Sequence, residues 1–196
     1  MSPSFVMNGL IKYLSNIINL SSEANEHILS ISKQIKLEKG DLLISQGNKV
    51  NSIYFIDEGC MRSFSRDENG KEATLCFGIK NSLISDFRTI HNNQLSGLTV
   101  ECLKKASIIQ LKSVDFYRAL ERFPELDFLH RKHLEIRVSD LEKRILGQLM
   151  LPAADRYEKF LKHYSEIEQL VHNYCIASFL GITQETLSRI RIEKSK

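Results

Sequence analysis

The chain has 196 residues, of which 42% are apolar and 26% are charged, and its formal net charge is +3. This is ordinary globular composition, which excludes a disordered or fibrous chain and fits one domain or two small ones. No apolar run approaches the roughly 18 residues that a membrane-spanning helix needs, and residues 1–5 lack the basic start of a secretory signal, so we expect a cytoplasmic protein without a membrane partner.

The first predicted elements are helices within residues 5–32. Apolar side chains recur at helical spacing at Leu10, Ile11, Leu14, Ile17 and Ile18. Ser21 or Ser22 can cap a second short helix, with Glu23 in its first turn.

From Lys33 to about Leu111 the apolar period changes to two, as in half-buried strands. The alternation is clearest at Ala73, Leu75, Phe77 and Ile79 and again at Leu98, Val100 and Cys102. Turn signals separate the runs at Gly40, Gly47, Gly59 and Asn69-Gly70. The last signal predicts a type I′ turn, with both residues at positive φ, that pairs residues 60–67 with residues 72–79. Short strands at this spacing predict an antiparallel sandwich or barrel.

After Ser113 the helical period returns and continues into a long amphipathic helix. Pro124 suits the first turn of that helix, and Pro152 ends it. Its apolar stripe has nearly the spacing of a coiled-coil seam and consists of Leu134, Val138, Leu141, Ile145 and Leu149. The stripe fits either a helix packed on its own domain or, because the other face is densely charged, a dimer helix. The next helix is predicted over residues 155–164, and we place a domain boundary near Leu151-Pro152.

Residues 174–191 have the organisation of a helix-turn-helix. Ala177 lets a second helix cross closely, Gly181 suits a left-handed helix end, and Thr183 suits the next N-cap. Leu187 and Ile190 point inward, whereas the outward positions are Gln184, Glu185, Ser188 and Arg189. A packed helical hairpin with no DNA role is the alternative. DNA binding is favoured by the polar outward face and by the basic end of the chain, which contains Arg189, Arg191, Lys194 and Lys196.

The β-rich block, the long helix and the C-terminal helix-turn-helix, in that order, resemble the cyclic-AMP-receptor/Fnr (Crp/Fnr) family of bacterial transcription regulators. The most specific similarity covers residues 176–189, and the block from Gly40 to Gly59 looks like the start of the family's β-roll. The resemblance implies an α+β fold over 1–113, 114–151 and 152–196. These parts would be an N-terminal cyclic-nucleotide-binding-like antiparallel β-roll (jelly-roll), a long dimerisation helix and a small helical helix-turn-helix domain lacking a full wing.

The same resemblance implies a homodimer on double-stranded DNA with twofold-related half-sites roughly 34 Å apart. The positions that match the family's base-reading residues are Gln184, Glu185 and Arg189, which can bond adenine, cytosine and guanine respectively. Thr186 and Ser188 suit phosphate contacts. The predicted DNA-binding set is Thr183, Gln184, Glu185, Thr186, Ser188, Arg189 and Arg191, the last adding salt-dependent affinity. RNA polymerase and an unidentified small-molecule effector are further candidate partners.

Nucleotide-binding members of the family carry a Gly-Glu pair and then an Arg-Ser/Thr-Ala segment whose arginine pairs with the cyclic phosphate. The matching segments here read Ile84-Ser85-Asp86-Phe87 and Leu95-Ser96-Gly97-Leu98, without that arginine. A buried phosphate needs a compensating charge, and Arg88 is the only candidate nearby. We therefore expect neither cyclic AMP nor cyclic GMP. Candidates for a pocket that takes a different effector are Ser85, Asp86, Arg88, Ser96 and Gly97.

No cofactor, metal ion or enzymatic site is expected. No cysteine precedes Cys60, which argues against the iron–sulfur branch of the family, and the four cysteines lack zinc spacing, so we expect reduced, mostly buried thiols. His91 is the only histidine in the strand-rich block, too few for a cupin enzyme. His130 and His133 can share a face of the long helix, where we expect them to be solvated or near the dimer seam. The main alternative function is a ligand- or protein-binding β-roll module that binds no DNA.

Overall fold

The computed structural model describes residues 8–194, which form eight helices and six strands. The helices are α1 (Asn8–Ser15), α2 (Ser22–Ser30), α3 (Phe87–Asn92), α4 (Ser113–Arg122), α5 (Pro124–Met150), α6 (Ala153–Glu168), α7 (Asn173–Leu180) and α8 (Gln184–Lys194). The strands are β1 (Ser32–Leu37), β2 (Leu42–Ile44), β3 (Ser52–Arg66), β4 (Glu72–Ile79), β5 (Ser82–Ile84) and β6 (Thr99–Lys112). Residues 5–7 of the first predicted helix and the basic Lys196 lie outside the described residues. Between residues 8 and 194, no helix is long and apolar enough to cross a membrane.

All six strands join one antiparallel sheet in the order β1-β6-β3-β4, with β2 paired to β6 and β5 paired to β3. The long strands β3 and β6 form its centre, and most side chains of β3 are buried, on both of its faces. One face carries Tyr54 and Ile56 into the interior of the roll, and the other carries Phe55 towards α1, α2 and α4. The predicted α+β β-roll is confirmed.

The starts of α2 and α5 agree with local sequence signals. Ser21 caps α2 by accepting a hydrogen bond at its Oγ from the Ala24 N–H (3.2 Å), and Pro124 occupies the first turn of α5. The helix predicted over 155–164 extends to Glu168. Tyr164 has the non-helical dihedral φ −136°. The predicted end is therefore a kink inside α6.

The hairpin between β3 and β4 has the predicted pairing but a different turn. Cys60 lies opposite Ile79, and Arg66 lies opposite Glu72, so the connection has five residues, 67–71. The Asp67 side chain accepts hydrogen bonds from the N–H groups of residues 69 and 71 (both 2.9 Å), and only Gly70 has positive φ (+81°) within the loop. The predicted type I′ turn is wrong because the Asp67 side chain organises a longer loop.

The turn expected at Gly59 is also wrong, because β3 runs through this position. Gly59 has φ +104°, and the register with β6 shifts between Ile56 and Met61, so the glycine forms a bulge inside a continuous strand. A Cβ at this position would lie 2.5 Å from the Cβ of Ala106 on β6. The glycine is therefore required by close packing as well as by its backbone conformation.

The predicted alternation is confirmed in β6, where Val100 and Cys102 are buried, but is wrong in β4. In β4, Phe77 is buried as expected, whereas Ala73 and Ile79 are exposed and Thr74 is buried. The β3–β4 register shifts at residues 63–64, so positions on the two sides of this irregularity present opposite faces.

The long helix α5 buries apolar side chains against the roll in its first turns, at Leu126 and Leu129. Further along, Arg137 and Arg144 donate hydrogen bonds to backbone carbonyls of β5 and β4. Beyond the first turns, the seam predicted at Leu134, Val138, Leu141, Ile145 and Leu149 lies largely on the surface of the single chain. The exposed fraction is 54% at Val138 and 77% at Leu149. His130 and His133 are half-buried beside Phe116, which contradicts the expectation that they are solvated.

Candidate nucleic-acid interface

Helix caps on both sides of the turn hold the α7–turn–α8 unit. Gly181 ends α7 in the left-handed conformation (φ +68°), and the Ile182 N–H donates to the Ala177 carbonyl across it (3.0 Å). Thr183 then begins α8, because its Oγ1 accepts a hydrogen bond from the Thr186 N–H (3.2 Å). These contacts give the helix-turn-helix that the sequence predicts.

Apolar packing decides which face of α8 is inside. Leu187 and Ile190 are buried in one cluster with Ile176 and Ala177 of α7 and with Phe160 of α6. The opposite side of α8 is a single exposed face, called here the recognition face. It consists of Gln184, Glu185, Ser188, Arg189, Ile192 and Glu193. All four outward positions predicted from the sequence lie on it.

The recognition face carries side chains whose hydrogen-bonding groups are available. Arg189 has no hydrogen-bond or ion-pair partner within residues 8–194. Hydrogen bonds from its own backbone N–H and from Thr183 lower the pKa of Glu185, which keeps that carboxylate ionised at the positive end of α8. An unpaired guanidinium can donate two hydrogen bonds to guanine, and an ionised carboxylate can accept one from cytosine.

The other three predicted DNA-binding residues differ in how exposed they are and in what they bind. Thr183 is exposed, but Thr186 is half-buried and lies 3.2 Å from the Thr183 hydroxyl. Arg191 is half-buried and binds Glu168 (2.9 Å), the Asn173 side chain (2.6 Å) and the Tyr157 hydroxyl (3.1 Å). Its guanidinium is thus held by the domain itself. No local pattern in the sequence signals these partners, because all three lie on other helices.

Ser178 on α7 connects this helix to the roll. The Ser178 Oγ accepts a hydrogen bond from the Thr74 N–H (2.8 Å) and donates one to the Glu72 carbonyl (3.0 Å) on the edge strand β4. Beside it, Phe77 of β4 packs in an aromatic cluster with Phe160, Tyr164 and Phe179. These contacts give Ser178 a structural role.

A buried arginine, which the sequence reasoning missed, lies under the N-terminus of α7. The Arg62 side chain is fully buried and binds Glu72 (2.8 Å), Glu101 (3.3 Å) and the Thr74 hydroxyl (3.0 Å). Its guanidinium also lies 5.2 Å from the centre of the Tyr174 ring on α7. Burial raises the pKa of Glu72, but hydrogen bonds from Arg66 and Arg62 lower it by more, so the carboxylate stays charged.

The predicted effector residues come together, but their polar groups are occupied internally. Asp86 is buried, caps α3 at the Thr89 N–H (3.3 Å) and accepts a hydrogen bond from the Ser96 hydroxyl (2.9 Å). Burial raises the pKa of Asp86, but these hydrogen bonds lower it by more. The Ser85 hydroxyl donates to the Ser52 carbonyl (2.8 Å). Arg88 is exposed, and its guanidinium covers Gly97.

Comparison with known proteins identifies relatives for both halves of the chain. Residues 34–123 match the family model described as a cyclic nucleotide-binding domain. The chain is 22% identical over 178 residues to the regulatory protein HlyX of Actinobacillus pleuropneumoniae, covering 84% of this chain and 73% of HlyX. It is 26% identical over 177 residues to the transcriptional activator protein Anr of Pseudomonas protegens, covering 79% of this chain and 67% of Anr.

The fold also matches a solved structure along most of its length. A putative transcriptional regulator of the crp/fnr family from Eubacterium rectale superposes with a TM-score of 0.69 at 17% identity. The match covers 91% of this chain and 85% of that one. It therefore includes the roll, the long helix and the C-terminal helices in the same arrangement.

Proposed function

Because the chain belongs to the Crp/Fnr family of transcription regulators, we propose that it binds DNA sequence-specifically in the cytoplasm as a homodimer. The observation that carries the proposal is the recognition face of α8. It presents an unpaired Arg189 and an ionised Glu185 on a helix whose other side is fixed by Leu187 and Ile190. In this proposal, residues 1–113 form the sensing roll, residues 114–151 contain the dimerisation helix, and residues 152–196 form the DNA-binding domain.

The proposed readout uses three side chains of the recognition face. Arg189 donates two hydrogen bonds to a guanine, Glu185 accepts one from a cytosine, and Gln184 bonds an adenine in the major groove. Ser188 and Thr183 are exposed beside them and suit contacts to phosphates, which position the helix without reading the sequence. Arg191 supports α8 from inside through Glu168 and contributes less to DNA directly.

The proposed dimer forms along α5. The seam leaves large apolar side chains such as Val138 and Ile145 about half exposed in one chain, and water contact with such a stripe is unfavourable. A second α5 packed against it would bury both stripes, as in a two-stranded coiled coil. Two recognition faces related by a twofold axis would then meet two half-sites.

Control by a cyclic nucleotide is not part of the proposal. The positions that match the family's phosphate-binding segment carry no arginine, and Asp86 and Ser96 are already bonded to each other. A different small-molecule effector and RNA polymerase at the promoter are the further partners that we propose for the chain.

The test is selection from random duplex DNA at two salt concentrations, with R189A and R118A beside the wild type. We expect an enriched inverted repeat that binds more weakly at high salt. R189A should lose about 1–3 kcal/mol, a five- to 150-fold loss, and relax the choice of one base pair per half-site. R118A removes an exposed arginine on α4 and should bind like the wild type.

Two results would contradict the proposal. Equal enrichment by R189A and the wild type would mean that the recognition face reads no base. Absence of any enriched repeat would favour the alternative, a ligand- or protein-binding β-roll whose C-terminal hairpin only packs.

A further inference from the structure

An apolar cavity of about 230 Å³ lies between α1, α4, the first half of α5 and the sheet face that carries Phe55. Its floor consists of the buried side chains of Phe55, Leu111 and Phe116. Its rim includes Ile17 and Ile136, which are 38% and 55% exposed, so the cavity opens to solvent between α1 and α5. None of the predicted effector residues lines it.

Two histidines bring unpaired polar atoms into this apolar cavity. His130 and His133 both line it. Nδ1 of His130 and Nε2 of His133 are buried and have no hydrogen-bond partner among the described residues. Phe116 packs edge-on against the His130 ring, with 5.2 Å between the ring centres. Because buried polar atoms are nearly always hydrogen-bonded, these two nitrogens are available to a polar group of a molecule that enters the cavity.

The cavity differs both from a metal site and from the seam proposed for the dimer. In the described part of the chain, no cluster of three or more His, Cys, Asp or Glu side chains is placed to hold a metal ion. The seam residues Leu134, Val138 and Leu141 do not line the cavity, so the seam and the cavity occupy different faces of α5.

The polar end of the cavity suits an acidic group. Burial lowers the pKa of both imidazoles, and Arg137 and His130 lower that of His133 further. For His130, Asp127 raises the pKa and His91 lowers it, and neither outweighs burial. Both rings are therefore neutral near pH 7, and each unpaired nitrogen either donates or accepts a hydrogen bond. Lys132, an exposed residue, also borders the cavity.

We propose that this cavity binds a medium-chain carboxylic acid. The hydrocarbon tail lies against Phe55, Leu111 and Phe116, and the carboxyl group bonds His130 and His133 within reach of Lys132. A carboxyl group can both donate and accept hydrogen bonds, and when ionised it pairs with lysine. An apolar cavity of about 150 Å³ holds a benzene-sized molecule, so the larger volume here leaves room for an acyl chain. The proposal concerns binding alone and does not rest on DNA recognition.

The first experiment is calorimetric titration of the full chain with sodium octanoate below its micelle concentration, beside methyl octanoate. We expect octanoate to bind and the ester, which has the same tail but no acidic group, to bind at least tenfold more weakly. No binding of octanoate, or equal binding of acid and ester, would overturn the proposal. This comparison uses the wild-type chain and needs no variant to fold.

A matched pair of histidine variants locates the site. H133L should lower the affinity for octanoate at least tenfold, whereas H163L, which changes an exposed histidine on α6, should leave it unchanged. A bulky side chain placed in the cavity by L14W should abolish binding while circular dichroism shows native helix content. Equal affinities of H133L and the wild type, or unchanged binding by L14W, would place octanoate elsewhere and contradict the proposal.

Discussion

Arg62 and Arg66 bind the same carboxylate, that of Glu72, but only one of them is buried. The Arg62 side chain has no exposed surface, whereas that of Arg66 is 56% exposed. Water and salt weaken the exposed pair, and the long Arg66 side chain loses rotamer freedom when it forms. The buried arginine has no water to replace its partners, so its interactions are the ones that matter for stability.

We predict that R62M and R66M differ strongly in the free energy of unfolding. R62M leaves Glu72 and Glu101 without their buried partner and should cost about 3 kcal/mol or more. R66M should cost at most about 1 kcal/mol, as is usual for an exposed ion pair. Urea unfolding followed by circular dichroism measures both. Equal losses would show that burial of Arg62 adds nothing.

Helix caps could be predicted from the sequence, whereas the bulge in β3 could not. Thr183 and Gly181 were predicted correctly, and Ser21 is one of the two serines predicted to cap α2, because each acts on backbone groups within one helical turn. The bulge at Gly59 was not, because its cause is Ala106 on another strand. Local chemistry is readable in the sequence, whereas a close approach between distant residues is not.

Among the elements, α7 and β4 form a contact that neither requires for its own structure. The Ser178 hydroxyl occupies one N–H and one carbonyl of the edge strand β4, and these groups would otherwise lack a partner on that side. Thr74 and Ser178 are 104 positions apart in the chain, so the sequence offered no signal for this contact.

We predict that S178A destabilises the chain while S188A does not. Removing the Ser178 hydroxyl leaves the buried Thr74 N–H unsatisfied and should cost about 1–3 kcal/mol in the free energy of unfolding. S188A changes an exposed serine on the next helix and should stay within about 0.5 kcal/mol of the wild type. Chemical denaturation of both variants distinguishes them. A neutral S178A would show that water replaces the serine at no cost.

The long helix α5 provides the prediction for assembly. Ile145 belongs to the seam and is 55% exposed, whereas Leu95, which is 60% exposed, lies in the loop between α3 and β6. I145E should convert the dimer to a monomer, because a charge between two packed helices loses its water. L95E makes the same chemical change and should leave the dimer intact. Light scattering after gel filtration measures both masses, and a wild-type chain with the mass of one copy would contradict the proposed dimer.

Across the whole molecule, three apolar clusters connect the parts. One lies inside the roll, one joins the roll to α1, α2, α4 and α5, and the third joins Cys60 and Phe77 of the sheet to α6, α7 and α8. Arg156 adds a polar link, because its guanidinium donates to the carbonyls of Leu151 (2.6 Å) and Leu180 (3.0 Å). The recognition face is thereby held at a defined position relative to α5.

At this scale the sequence predicted the order of the parts but not their docking. Apolar periodicity distinguished roll, long helix and helix-turn-helix, because each period is set within a few residues. The aromatic packing of Phe77 with Phe179 depends on tertiary contact, which periodicity does not encode. The cavity beside His130 was missed for the same reason, since its walls come from four helices and three strands.

The central claim is that two recognition faces, fixed by an α5 dimer, read two half-sites one helical turn apart. The most direct measurement is the affinity for the selected inverted repeat against a duplex with about five base pairs, half a turn, inserted between its half-sites. We predict that the insertion lowers the affinity at least tenfold, to that of a duplex with a single half-site, because the second recognition face then meets the wrong side of the DNA. Equal affinity for the two duplexes would contradict the claim.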